Sequence, residues 1–124
     1  MAREAVAAGQ VPAGSPLLDG TPTGKSVTAA AHGGDAVALE ILARAGFWLG
    51  VGIASLVNAL DPEVVVVGGG AMQAGDLILA PARAAAADRI AGRAYRPGVP
   101  IVAARLADAA GVIGAGLLAL EPRS

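Results

Sequence analysis

Glu63-Val64-Val65-Val66-Val67 runs directly into Gly68-Gly69-Gly70. Four consecutive β-branched residues favour an extended, pleated backbone. Because no polar residue alternates with them, the run predicts a strand buried on both faces, as in a parallel sheet. A parallel sheet needs a right-handed crossover to a second strand, and the sequence downstream supplies one. Asp76 is placed to cap a helix over roughly 77–91, with Pro81 in its first turns. Gly92 to Gly98 reads as a loop, and Pro100 to Ala104 as a second short strand. Asp108 then caps a closing helix that runs to about Leu120, and EPRS forms a polar tail. Two strands do not make a stable sheet alone.

Upstream, Val37, Ile41, Ala45, Trp48, Leu49, Ile53, Leu56, Val57 and Leu60 recur at steps of three and four. That is helical period. A helix over 35–60 would be about 39 Å long. Asp35, after the break at Gly33-Gly34, is its N-cap, and Asp61-Pro62 ends it, since a residue before proline is pushed out of the α region. Glycines at 46, 50 and 52 each cost up to about 1 kcal/mol in helix propensity, and close approach of another backbone would account for them. Trp48, on the same stripe, is expected in the core. Residues 2–9 read as the tail of a helix that begins before Met1, and 10–24 as a Pro/Gly/Ser-rich loop. Ser26 or Thr28 would cap a short helix to about Ala31.

Sixteen uncharged residues lie between Arg44 and Asp61, a run that invites a membrane reading. A spanning helix wants about 20 apolar residues, and this shorter run carries Ser55 and Asn58, so a buried soluble helix is expected. The N-terminus has mixed charges and no apolar core region, unlike a signal peptide. These features lead to a cytoplasmic expectation.

The 124 residues suit one small domain or a piece of a larger one. The net charge of −1 gives no electrostatic reason to expect nucleic acid or an anionic membrane as partner. With no cysteine there is no disulfide, thiol nucleophile or thiolate metal site. His32, the one histidine, sits at a helix end where a cation suits the dipole, and no metal site is expected. No Ser/His/Asp set or facing carboxylate pair emerges, so no catalytic residue is assigned.

Gly68, Gly69 and Gly70 are the best candidates for ligand contact. Glycine at the carboxyl end of a buried strand lets backbone come close to a ligand, and open α/β sheets bind ligands there. The helix that follows would add N–H groups and the positive end of a dipole. A tight strand-to-helix turn without ligand is the competing reading. The dinucleotide fingerprint fails, because Gly68-Gly69-Gly70-Ala71-Met72-Gln73 lacks the third glycine. GTPTGKS at 20–26 imitates a phosphate-binding P-loop but has three residues between its glycines where four are needed.

Residues 34–70 closely resemble the C-terminal region of ROK-family kinases, especially bacterial glucokinases. The resemblance rests on Asn58-Ala59-Leu60-Asp61-Pro62, the strand Val64–Val67 and the turn Gly68–Gly70. Residues 24–35 are similar to the family's lead-in helix and 108–120 to its closing helix. The resemblance implies an α/β fold: part of an actin-like ATPase domain of the hexokinase type (RNase H-like), helix-rich with a short parallel strand pair. It implies that 1–124 form the family's last third: a loop at 10–24, the long helix at 35–60, strand and glycine turn at 63–70, strand and closing helix at 100–120.

The family's phosphate-binding Asp-x-Gly-Gly-Thr motif, its catalytic aspartate and its zinc-binding cysteine cluster have no match in these residues. Gly68, Gly69 and Gly70 inherit a role in the adenosine pocket, with ATP as cofactor and Mg in the complete enzyme. Nucleotide, and hexose in the complete enzyme, are the implied partners; homo-oligomerisation stays open. The isolated piece is expected to be inactive. A repressor of the same family and a non-catalytic partner protein remain as alternatives.

Overall fold

The structure, a computed structural model, describes residues 1–92, 94–95, 97–106 and 109–120. Helices α1 (Ala2–Ala7), α2 (Gly24–His32) and α3 (Ala36–Leu60) precede strand β1 (Val65–Val67). Helix α4 (Asp76–Ala87), strand β2 (Ile101–Ala103) and helix α5 (Ala110–Leu120) follow. The strands pair in parallel, with Val65 opposite Ile101, Val66 opposite Val102 and Val67 opposite Ala103.

The long helix forms as its pattern predicts. The Asp35 carboxylate accepts the Ala38 N–H at 3.0 Å and so satisfies one orphan donor of the first turn. Hydrogen bonds from the Ser15 hydroxyl and the Ala38 N–H hold the Asp35 carboxyl below its ordinary range. At the other end Asp61 turns left-handed, with φ 46° and ψ 53°. Pro62 disfavours the α region for its predecessor, and aspartate tolerates the left-handed conformation better than most residues.

Helix α3 packs on α4 through its glycines. A Cβ at Gly46 would collide with the Ile78 carbonyl oxygen and lie 2.6 Å from Pro81 Cγ. A Cβ at Gly50 would collide with the Ala82 carbonyl oxygen and lie 2.9 Å from Ala85 Cβ. The expected close approach is therefore real at these two positions. At Gly52 it is not, because a Cβ there would meet nothing within 4 Å.

Two apolar clusters form the core. Leu17, Val27, Ala30, Ala38, Leu42 and Ile78 make one. Ile53, Val57, Leu79, Ala86 and Ile101 make the other, between the helix pair and the sheet. Polar ties then hold α4 to its neighbours. Arg83 Nε donates to the Ile101 carbonyl oxygen and its Nη1 to Asp76, both at 2.9 Å. Asn58 Nδ2 donates to the Arg89 carbonyl oxygen at 3.0 Å, while its Oδ1 accepts the Ala91 N–H at 2.8 Å.

Several sequence expectations need correction. Trp48 is 59% exposed and lies edge-on to Phe47, outside the core. It stands two residues beyond buried Gly46, roughly 200° round the helix. The strand is not buried on both faces. Val65 and Val67 pack on the second cluster, while Val66 on the opposite face is 58% exposed. Thr23, and neither Ser26 nor Thr28, caps α2: its hydroxyl accepts the Ser26 N–H while the Ser26 hydroxyl accepts the Thr23 N–H. That reciprocal pair is a capping box. Asp76 caps nothing; it is the first residue of α4, and Gly75 holds the N-cap. Helix α4 stops at Ala87, short of 91, and Asn58 takes up the backbone groups just beyond. The predicted cap Asp108 and the tail 121–124 lie outside the described residues.

Helix α3 is long and apolar enough to cross a membrane by length and composition alone. Its buried stripe of Ala38, Leu42, Gly46, Gly50, Ile53, Ala54 and Val57 is spent on packing within this fold. Helix α5 differs, since none of its residues is buried and Val112, Leu117, Leu118 and Leu120 are all exposed.

Candidate functional site

Because β1 and β2 are parallel and in register, their carboxyl ends finish side by side. Gly68 follows β1, Ala104 follows β2, and the Ala104 N–H donates to the Val67 carbonyl oxygen at 2.8 Å. The glycine turn thus lies at the edge where α/β sheets bind ligands. Gly68, Gly69 and Gly70 are exposed there.

The three glycines are not equivalent. A Cβ at Gly68 would make ordinary contact, 3.5 Å from Ala104 Cβ. Gly69 has φ +89°, a conformation that residues with a side chain rarely adopt, and among the described residues nothing lies within 4 Å of a Cβ there. Gly70 begins a 3-10 turn that runs to Ala74. The Met72 N–H closes back onto the Gly69 carbonyl oxygen at 3.0 Å, and the Gly75 N–H onto the Met72 carbonyl oxygen at 3.0 Å.

The expected helix N-terminus is not at the turn. Helix α4 starts at Asp76, after the intervening 3-10 segment. Its first turn carries the Asp76 carboxylate, which already occupies the positive end of the dipole and pairs with Arg83. The edge therefore offers open backbone at the turn itself. Exposed Arg105 follows Ala104 at the same edge.

The other sequence candidates fall elsewhere. Within 20–26, Thr23 and Ser26 are committed to the cap of α2, and no strand leads into that segment. His32 is exposed in the last turn of α2. A cleft of about 520 Å³ lies between α4 and the start of β2, lined by Arg83, Ala87, Ile90 and Val99–Ile101, away from the glycine turn. Sequence reasoning passed over Met72 and Gly75. A glycine directly before the predicted helix was the available signal for Gly75, whose φ is +53°.

Residues 18–122 match the ROK family. The chain belongs to the ROK family. It is 39% identical over 109 residues to a glucokinase of Streptomyces coelicolor, covering 86% of this chain and 34% of that protein. It is 34% identical over 91 residues to the N-acetylglucosamine repressor of Escherichia coli, covering 73% of this chain and 22% of that protein. Among solved structures, a ROK family glucokinase from Streptomyces griseus in complex with glucose and AMPPNP superposes with a TM-score of 0.78. That match is 33% identical and covers 94% of this chain and 39% of the other. This ROK chain therefore has part of the actin-like fold of the sugar kinases, and it spans about a third of the length of the glucokinases it matches.

Proposed function

We propose that this ROK chain is the C-terminal, nucleotide-facing portion of an ATP-dependent hexose kinase of the glucokinase type. The observation that carries the reading is the turn at Gly68–Gly70. Gly69, at positive φ and with open space above it, sits where two parallel strands end together. The likeness to glucokinases, one solved with an ATP analogue, supports ATP as the nucleotide. Open glycine backbone, set apart from the N-terminus of α4, suits the adenosine end, and the phosphates, with Mg, would be held by other parts of the complete enzyme. When bound, ATP supplies the phosphoryl group. This chain's own contribution is to seat the base or ribose and to keep a side chain out of that space.

The same reading accounts for the uncovered apolar surfaces. Val64, Val66 and Val102 on the sheet, and α5 as a whole, would meet the remaining two-thirds of a kinase of the relatives' length. It also places the complete protein in the cytoplasm, where ATP is available. A repressor is the second reading, because the same segment resembles the N-acetylglucosamine repressor. The reading frame upstream of Met1 separates the two: an Asp-Gly-Gly-Thr motif and a cysteine cluster mark the kinase, a helix-turn-helix the repressor.

Grafting tests the proposal. Residues 18–122 should replace the matching stretch of the Streptomyces coelicolor glucokinase with ATP-dependent glucose phosphorylation retained. The isolated 124-residue chain should give no turnover above background, since positioning and electrostatics supply nearly all of phosphoryl-transfer catalysis. A folded graft without activity, or a purified isolated chain with activity, would contradict the assignment.

A further inference from the structure

Nothing in the glycine run itself can anchor it, because Gly68, Gly69 and Gly70 have no side chains. On the upstream side, Val67 packs on the cluster beneath the sheet. On the downstream side, Ala71 and Gln73 are exposed, while Met72 and the small Ala74 turn inward. Met72 packs against both apolar clusters, at the junction of α2, α3 and α4. Its backbone closes two successive turns: its N–H bonds to Gly69 and its carbonyl oxygen accepts from Gly75, each at 3.0 Å. Both of those glycines are at positive φ, +89° and +53°. The segment from 69 to 75 is thus a clip with a flexible glycine at either end and one long apolar side chain driven into the core at its middle.

From this geometry we infer that Met72 is a positioning residue for the glycine turn. It fixes where the Gly69 backbone stands and so sets the floor of the adenosine subsite; this rests on the nucleotide reading given above. Methionine suits the task, since its unbranched side chain fills irregular gaps between elements. Without it, the downstream side of the turn loses its one long apolar side chain in the core, and glycine's conformational freedom opens to it.

The first test uses the chain as it stands. Met72→Ala should raise amide hydrogen exchange at residues 69–75 on the order of tenfold, and by far more than across 48–57 of α3. Met72→Leu, which conserves volume, should restore protection. If Met72→Ala does not fold, Met72→Val is the milder form of the same test.

The second test uses the glucokinase carrying residues 18–122. There Met72→Ala should raise the ATP KM on the order of tenfold, with glucose KM and kcat at saturating ATP within about twofold. Equal exchange in Met72→Ala and the parent would overturn the inference, as would ATP and glucose KM values that rise together. If Gly69→Val raises the ATP KM and Met72→Ala does not, the positioning role fails while the nucleotide site stands. If neither changes it, the nucleotide reading itself fails.

Discussion

Gly50→Val is expected to abolish the cooperative thermal transition of the 124-residue chain. A Cβ at this position would run into the carbonyl oxygen of Ala82 and crowd Ala85 Cβ at 2.9 Å. The obstruction is backbone of α4, so rotamer changes cannot relieve it; the two helices would have to separate. Overpacking a core costs about 1–3 kcal/mol and occasionally more, and this site belongs at the upper end. Small domains have only about 5–15 kcal/mol of stability in all, and this chain leaves one face of its sheet and all of α5 uncovered. Gly52→Ala is the control. It lies six residues beyond Gly46 on the same helix, yet its Cβ would meet nothing, and the gain in helix propensity is up to about 1 kcal/mol. Circular dichroism melts should show Gly52→Ala at or above the parent and Gly50→Val without a transition. A Gly50→Val melt that overlays the parent would mean that α3 and α4 do not pack as described.

Gly69→Val carries the largest expected effect on binding. The backbone at Gly69 has φ +89° and ψ 175°. That region is close to glycine-only, and a β-branched residue there costs about 1–3 kcal/mol in strain. Valine would either move the turn or place two methyl groups in the space over it. Since no described residue lies within 4 Å of that space, folding should survive while the surface over the turn changes. In the grafted glucokinase the ATP KM should rise on the order of tenfold or more, about 1.4 kcal/mol per tenfold. The glucose KM should move far less. An unchanged ATP KM in a folded Gly69→Val enzyme would leave the turn with a structural role alone.

The features legible in the sequence were those set by neighbouring residues. Asp35 as a cap, Asp61-Pro62 as a stop and the valine run as a strand depend on interactions within a few positions. Gly46 and Gly50 were legible as close-approach sites because glycine inside a helix needs a compensating contact. Gly52 shares that composition but faces outward, and only the packed helix pair tells it apart. Trp48 was misread for a related reason. The apolar residues of α3 cover more of its circumference than α4 and the sheet can bury, and periodicity does not say which part of a wide stripe faces inward. The uncovered face of Val66 is a matter of what lies beside the strand, which the strand's own residues cannot report. At the site, the glycine run was visible, but the 3-10 segment after it was not. Asp76 looked like a cap because aspartate before a helical run commonly is one; Gly75 took that position, and Met72 acquired its role only through contacts with residues far off in sequence.

If the turn after β1 faces the adenosine of ATP, an adenine-directed probe should label it. Photolabelling the grafted glucokinase with an azido-adenine analogue of ATP, followed by peptide mapping, tests it most directly. Label should fall on the segment containing Gly68 to Met72, excess ATP should suppress it, and glucose alone should not. ATP-protected labelling confined to other segments, with 68–72 unmodified, would contradict it.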